Sequence, residues 1–216
     1  MKEKIIAVIP AFNEEKTIGE VVKELKRYTD EIIVVDDASV DKTSDEAMKY
    51  SAVVLRHAVN QGYDKTIDDG FKEAAKRKAS IIFTFDADGQ HVPYDVPKIL
   101  APIKKGEADV VVGIRPHTQR LSEKLFSIYA KKKIGITDPL CGIKAYSAEM
   151  YNNIGYFDRI KSIGTELMFN CNALGCRIKE VNINMNKREG KSRFGSVLRA
   201  NIKIISALFK ILIKFR

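Results

Sequence analysis

The 216-residue chain has no tryptophan, and only three cysteines and three histidines. Cys141, Cys171 and Cys176 are an odd, sparse set with no CxxC pair, which excludes a disulfide framework and argues against a cysteine zinc site. Such cysteine usage fits an intracellular protein with reduced thiols. No apolar run approaches the ~18 residues that a membrane span needs. The N-terminal MKEKIIAVIPAFNEE has too short an apolar run for a signal peptide and no small-residue cleavage site. The glycine-rich signatures of dinucleotide and P-loop sites are missing. The Asn60-Gln61-Gly62 loop could cradle a phosphate, but it has neither spacing, so a dehydrogenase or P-loop NTPase is disfavoured. There is no internal repeat, low-complexity stretch or clear linker before about residue 190. Acid is missing from one end. Residues 190–216 contain Lys191, Arg193, Arg199, Lys203, Lys210, Lys214 and Arg216, and neither Asp nor Glu.

What is present describes one ordinary domain with a sizeable core, since 45% of residues are hydrophobic and 30% charged. The formal charge is +9, and seven of those charges lie in the acid-free C-terminal segment. The nearly neutral body is unlike a nucleic-acid-binding face, and RNA-type aromatic motifs are absent. An anionic partner of another kind is implied. On a helical wheel Arg199, Lys203, Lys210 and Lys214 fall within about 60° of one another, and the rest of 197–216 is largely Ile, Leu, Phe, Ala and Val. A narrow basic face beside a wide apolar face predicts a helix lying on a membrane surface. The competing reading is a last helix docked on its own domain or on a second copy.

The first half alternates short Val/Ile runs with helical spacing. Strands are expected at Ile5–Ile9, Ile32–Val35, Ala52–Leu55, Ile81–Phe85 and Asp109–Gly113. Helices are expected at Glu14–Arg27, Asp41–Tyr50, Lys65–Lys78 and Tyr94–Lys104. Further on, a basic segment Arg120–Lys133 precedes Asp138-Pro139-Leu140-Cys141-Gly142, a helix is expected near Gly164–Leu174, and a strand at Ile178–Ile183. The pattern predicts an α/β fold with a mostly parallel sheet covered on both faces. Such sheets bind ligands at the carboxyl ends of their strands. The segments to read are therefore Pro10–Glu14, Asp36-Asp37, Asp86–His91 and Gly113–Arg115.

Phe85-Asp86-Ala87-Asp88-Gly89-Gln90-His91 is the most informative of these. Two carboxylates at i and i+2 after a buried strand, with a Gln oxygen two residues on, suit Mg²⁺ or Mn²⁺ bound together with substrate phosphates. His91 reads as a supporting or structural residue. Asp36-Asp37 reads as a contact to a nucleotide base or ribose, against the plainer reading of a cap for the following helix.

VIPAFNEEKTIGEVV, VVDDASVDKTSDEA, FTFDADGQHVPYD, VVVGIR, DPLCGIKAYS and KREGKSRFG occur in that order. Together they resemble the family 2 glycosyltransferases of GT-A fold, and within them the dolichol-phosphate (polyprenyl-phosphate) mannosyl- or glucosyltransferases. The resemblance covers about residues 4–195. It implies metal-dependent, inverting transfer of one sugar from a nucleotide-sugar (GDP-mannose or a UDP-sugar) to a polyprenyl phosphate. It implies that Pro10, Phe12, Asn13 and Glu14 line the nucleotide pocket with Asp36 and Asp37, and that Asp86, Asp88 and Gln90 hold the metal on the donor diphosphate. Arg115 and Arg120 would bind the acceptor phosphate. Arg188 and Arg193 would clamp donor or acceptor phosphates, with Arg193 standing where a Lys is usual. Glu166 matches an acidic position that touches the sugar in the family; its plainer reading is a partly buried helix acid.

The chain departs from the family pattern in two places. Asp64 replaces a Gly and Thr66 an Ala in the segment after Asn60, while Asn60, Gly62 and Gly70 are retained. Leu140-Cys141 stands where Thr-Ser is common. Without tryptophan the Q-x-x-R-W signature of processive synthases cannot occur, which favours transfer of a single sugar. A hydroxyl acceptor needs a general base, whereas a lipid phosphate is already anionic and needs only placement by positive charge. Arg115, Arg120, Lys131, Lys132 and Lys133 could supply that charge, although the lysine run also reads as a solvated helix face. The expectation is a catalytic domain over residues 1–190 and an amphipathic helix over 191–216, peripheral at the cytoplasmic face of the membrane. Two other readings stand beside it: a soluble glycosyltransferase with a hydroxyl acceptor, and a non-enzymatic nucleotide-binding module recruited to membranes by its basic tail.

Overall fold

The computed structural model describes residues 3–116, 120–186 and 197–216. Arg188, Arg193 and the expected boundary near residue 190 lie outside the described residues. The first five strands are β1 (Ile5–Ala11), β2 (Glu31–Asp36), β3 (Val53–Arg56), β4 (Ile81–Thr84) and β5 (Val110–Ile114). The intervening helices are α1 (Ile18–Leu25), α2 (Thr43–Lys49), α3 (Tyr63–Lys76) and α4 (Val96–Lys104). After them come α5 (Leu121–Ile134), β6 (Lys144–Ser147), α6 (Ala148–Ile154), α7 (Glu166–Ala173), β7 (Ile178–Asn182) and α8 (Val197–Lys214).

The strands form one seven-stranded sheet in the order β3-β2-β1-β4-β6-β5-β7. β6 runs antiparallel to both β4 and β5, and the other pairings are parallel. β1, β2 and β4 are buried nearly throughout, as their unbroken Val/Ile runs require of strands covered on both faces. The expected α/β, mostly parallel architecture is therefore present. The sequence reading missed β6 and α6, and left α5 as a basic segment. β6 is only Lys-Ala-Tyr-Ser, too short and too polar to stand out as a strand. In α4, Pro97 sits in the first turn, where no amide is needed, and Pro102 lies two residues from the helix end.

α3 lies unusually close to the sheet. A Cβ on Gly70 would sit 2.3 Å from Val8 Cγ1 and 3.1 Å from Val35 Cγ2. One turn of α3 also carries Phe71, whose ring packs edge-on against Tyr146 and Tyr151 and lies 4.6 Å, centroid to centroid, from Phe157. This aromatic cluster joins the regular first half to the less regular second half.

α8 packs on α5 through a narrow stripe of Ala200, Ile204, Ala207 and Ile211, all buried. Its C-terminal end is fastened more firmly. Phe169 of α7 stands between Tyr129 and Phe215, with centroids 5.9 and 5.4 Å away. Lys214 forms an ion pair with the fully buried Glu166. The helix is part of the folded body, and its docking face is only one side of it.

The Gly70 contact yields a stability prediction. Gly70→Ala gains about 1 kcal/mol of helix propensity but forces a methyl into Val8. With Val8 Cγ1 only 2.3 Å away, overpacking should sit near the top of its usual range of roughly 1–3 kcal/mol, for a net destabilisation of up to about 2 kcal/mol. Urea denaturation of both proteins checks it, and an unchanged midpoint would show that α3 can move off the sheet at little cost.

Candidate active site

The carboxyl ends of β1, β2, β3 and β4 meet along one edge of the sheet, and the loops that leave them are laced together. Asn13 takes a positive φ of 53°, a conformation that Asn tolerates better than most residues. Its backbone N–H donates to Ser39 Oγ (2.9 Å), and its side-chain carbonyl accepts from Val40 N (2.9 Å). Glu14 N donates to Thr43 Oγ1 (2.8 Å). Pro10 is part of β1, paired with Val35 of β2. Phe12 is 37% exposed at the lip, large and apolar yet uncovered.

The two acids after β2 do different things. Asp36 is completely buried and accepts from Ser39 N (2.8 Å) and from Ser44 Oγ, so it shapes its own turn and the start of α2. Asp37 reaches across to the β3–α3 connection. Its Oδ1 accepts from Gln61 N (2.7 Å) and meets His57 Nδ1 at 2.7 Å, and its Oδ2 accepts from Gly62 N (2.8 Å). The other ring nitrogen of His57 lies 3.2 Å from Asp69 Oδ2. Asp37 thus orders the Asn60–Gly62 turn, a role the sequence reading did not give it. His57 carried no sequence signal at all. Beside this network a cleft of about 450 Å³ is lined by Ala38, Ser39, Val40, Arg56, His57 and Ala58.

The Asp86–His91 loop follows β4. Asp86 Oδ2 is 3.0 Å from His91 Nε2, and His91 is itself buried and bridged to Met185. Asp88 Oδ1 accepts from Gln90 N (3.1 Å), and Gln90 O accepts from Asn186 N (2.7 Å). Burial alone would raise the Asp86 carboxyl, but the hydrogen bond and charge of His91, with Arg115 and Lys144 nearby, hold it below the usual carboxylate range. Gly142, from the DPLCG motif, is pressed against this carboxylate: a Cβ there would lie 1.9 Å from Asp86 Oδ2. Only glycine fits. Among the described residues Asp86 Oδ1 has no hydrogen-bond partner, and no three His, Cys, Asp or Glu side chains cluster into a protein-only metal cage. Oxygen ligands of this kind suit a hard divalent cation.

Arg115 lies at the end of β5, bound to acids. Its Nε and one terminal nitrogen grip Asp138 at 2.8 and 2.7 Å, and the same terminal nitrogen reaches Glu123 at 3.1 Å. Arg120, the residue before α5, shares Glu123 at 3.1 Å and is 38% exposed. The two arginines are thus brought together on one glutamate. Cys141 is a buried thiol pushed up to about 12, chiefly by burial, and is inert at neutral pH. Glu166 accepts from Arg159 N (2.5 Å) and Ile160 N (3.0 Å) as well as from Lys214. Lys144, noted in the sequence only as part of DPLCGIKAYS, is buried with its ammonium on Gly164 O at 2.8 Å.

A family model for "Glycosyl transferase family 2" matches residues 6–182. A protein of uncharacterised function from Methanocaldococcus jannaschii is 36% identical over 99% of this chain and 93% of its own length. The UDP-N-acetylglucosamine–dolichyl-phosphate N-acetylglucosaminyltransferase of Methanococcus voltae is 33% identical over 68% of this chain and 71% of its own. The undecaprenyl-phosphate mannosyltransferase of Micrococcus luteus is 29% identical over 88% and 87%. In fold, the chain superposes on the glucosyl-3-phosphoglycerate synthase of Mycobacterium tuberculosis, solved with Mn²⁺, UDP and glucosyl-3-phosphoglycerate, with a TM-score of 0.73. That match is 22% identical and covers 96% of this chain and 80% of the synthase. With a family model matched over most of its length and a relative 36% identical over nearly all of it, this chain belongs to glycosyl transferase family 2 and is a glycosyltransferase.

Proposed function

We propose that this glycosyltransferase moves a single sugar, with inversion, from a nucleotide-sugar to a polyprenyl phosphate at a membrane surface. The observation that carries the reading is the uncovered face of α8. Opposite its buried stripe the helix exposes Leu198, Ile202, Ile205, Phe209, Leu212 and Ile213. α5 adds Leu121, Leu125 and Ile128 beside it, 75%, 46% and 67% exposed. The other exposed side chains on the two helices include Lys124, Lys131, Lys132, Lys133, Arg199, Lys203 and Ser206, and no exposed acid interrupts them. A water-facing helix pair would carry both signs of charge. An apolar face edged with cations suits an anionic lipid surface. Among the described residues no helix is long and apolar enough to cross a membrane, so the contact is peripheral; we place it at the cytoplasmic face.

This face begins at Leu121, directly after Arg120, so a lipid tail lying on α5 and α8 would bring its phosphate to Arg120 and Arg115. The phosphate needs no general base. Glu166, an acid that could otherwise touch a sugar or a hydroxyl acceptor, is fully committed to Lys214 and two backbone amides. This commitment favours a phosphate acceptor over a hydroxyl one. The nucleoside would occupy the cleft beside Ser39 and His57, bounded by Pro10, Phe12, Asn13 and Glu14 and shaped by Asp36 and Asp37. Asp86 and Asp88, with the Gln90 side chain, would hold Mg²⁺ or Mn²⁺ against the diphosphate. When bound, such an ion supplies positive charge for the departing nucleoside diphosphate. The acceptor phosphate oxygen forms the new bond to the sugar's anomeric carbon as the bond to the diphosphate breaks. Arg115 and Arg120 hold the incoming phosphate in line, and Arg188 and Arg193 retain the phosphate-clamping role that the family resemblance implies.

Two measurements test this. Purified protein given labelled GDP-mannose, UDP-glucose and UDP-N-acetylglucosamine with detergent-dispersed polyprenyl phosphate should place label in the organic phase only when Mg²⁺ or Mn²⁺ is present. Asp88→Asn should lower that rate at least about a hundredfold, the scale of losing a key electrostatic contact, with the melting temperature retained. Normal turnover in the variant would remove Asp88 from the mechanism. Separately, Ile202→Glu with Phe209→Glu should weaken sedimentation with phosphatidylglycerol vesicles roughly a hundredfold, from the lost burial of two large apolar side chains. Both sites are exposed, so stability should change by less than about 1 kcal/mol. Undiminished vesicle binding would contradict the lipid-facing role of α8.

A further inference from the structure

Gly164 is gripped by buried charge on both its backbone polar groups. Its N–H lies 2.7 Å from Asp64 Oδ1 and 3.0 Å from Asp158 Oδ2, and its C=O accepts from Lys144 Nζ at 2.8 Å. Asp64 and Asp158 thus share the one Gly164 N–H, and the Asp158 charge bears on the Asp64 carboxyl. Asp158 further accepts from Ser162 N (3.0 Å) and Ser162 Oγ (2.5 Å). The segment so held is strained. Lys161 and Ile163 have φ of 57° and 59°, and a positive φ is costly for a β-branched residue. Gly164, at φ 66°, has no room for a Cβ, which would meet Phe157 Cε1 at 2.9 Å.

Three pieces of the candidate site converge on this residue. Asp64 stands two positions after Gly62, whose N–H is held by Asp37. Lys144 stands two positions after Gly142, which presses on Asp86. Gly164 itself leads through Thr165 to Glu166 and so to Lys214 of α8. We propose that Asp64 is a positioning residue: through Asp158, Lys144 and the backbone of Gly164 it fixes the spacing between the Gly62 turn and the Gly142 loop, and hence how far the Asp86 carboxylate stands from the Asp37 side of the donor cleft. The proposal rests on reading that cleft as the nucleotide-sugar site. A glycine at position 64, as in the motif this chain resembles, would leave Asp158 alone on Gly164, so the tie is a property of this chain.

The tie is sensitive to pH. The groups that face Asp64 are Asp158 from the segment before α7, Lys144 from β6 and Tyr63 from its own helix, with Asp138 and Cys141 acting on Lys144 from behind. Burial and then the Asp158 charge push the Asp64 carboxyl up to about 7, and burial brings Lys144 down to about 8. Below about pH 7 Asp64 keeps its proton beside the Lys144 ammonium; as pH rises through 7 Asp64 becomes negatively charged, and near 8 Lys144 loses its charge. A carboxyl raised in the folded state favours folding less as pH climbs from its unfolded value to its folded one. The tie is therefore tightest at low pH, weakens as pH climbs toward 7, and draws no further weakening from Asp64 above that.

The full chain, Asp64→Asn and Asp64→Gly test this by two readouts at pH 6 and pH 8. One is amide hydrogen-exchange protection of residues 158–164, corrected for intrinsic rates. The other is calorimetric affinity for UDP, GDP and their sugar conjugates with Mn²⁺. In the wild type, protection should fall and Kd should rise by roughly tenfold from pH 6 to 8, within the range positioning contacts carry. Asp64→Asn keeps an acceptor for Gly164 and cannot ionise, so it should stay protected with a flat affinity. Asp64→Gly should be unprotected and roughly tenfold weaker at both pH values. Equal pH dependence in wild type and Asp64→Asn, or unchanged protection and Kd in Asp64→Gly, would overturn the proposal. Should the wild type bind no nucleotide, the reading of the cleft falls and the positioning role falls with it. Protection that follows the expected pattern while Kd does not would reduce Asp64 to a purely structural tie.

Discussion

The burial of carboxylates along one sheet edge is the constraint on which the rest of the structure depends. A carboxylate taken out of water must be met by donors or cations, because an unpaired buried charge costs far more than a domain's net stability can absorb. Each acid at this edge has its own solution. Asp36 uses the turn that follows it. Asp37 uses the amides of a different loop together with His57. Asp86 uses His91, Asp138 uses Arg115, and Glu166 uses Lys214. The loops are thereby tied to one another through their acids, and the site is held open as a set of fixed oxygen atoms rather than by hydrophobic collapse.

The same constraint explains why several loops need glycine. Gly142 has no side chain because the Asp86 carboxylate occupies that space, and Gly164 has none because Phe157 does. It also bears on chemistry. Asp138 and Glu123 keep the Arg115 guanidinium charged and fixed despite its burial, and a fixed cation can orient a phosphate without reorganising. His91 first, then Arg115 and Lys144, hold the Asp86 carboxyl below the usual carboxylate range. Packed on α5, α8 has spent only a narrow Ala/Ile stripe on the core, which leaves its widest apolar face uncovered.

Much of this was legible in the sequence, for stated reasons. Strands β1 to β5 are continuous Val/Ile runs, and a parallel sheet buried on both faces leaves that imprint. The pair Asp86 and Asp88 stood out as a motif directly after a buried strand, and the structure places Asp86 on His91 and Asp88 on the Gln90 amide. The rest was hidden by geometry. α5 carries apolar residues on two faces, Phe126 and Ala130 inward and Leu125 and Ile128 outward, so its periodicity is blurred. β6 is four residues long and gains its stability from neighbours on both sides. The ties from Asp37 to Gly62 and from Asp64 to Gly164 join residues 25 and 100 positions apart, and no local pattern records them. Arg188 and Arg193 were legible as a motif and lie outside the described residues.

The central claim is that a lipid-borne phosphate oxygen, and not a hydroxyl, takes the sugar. The most direct measurement is phosphorus NMR of the purified product formed from polyprenyl phosphate and the nucleotide-sugar that the protein uses. A glycosyl phosphodiester, with the monoester signal of the acceptor replaced by a diester, is the predicted result. A product in which the phosphate remains a monoester and the sugar is joined to a hydroxyl would contradict the account.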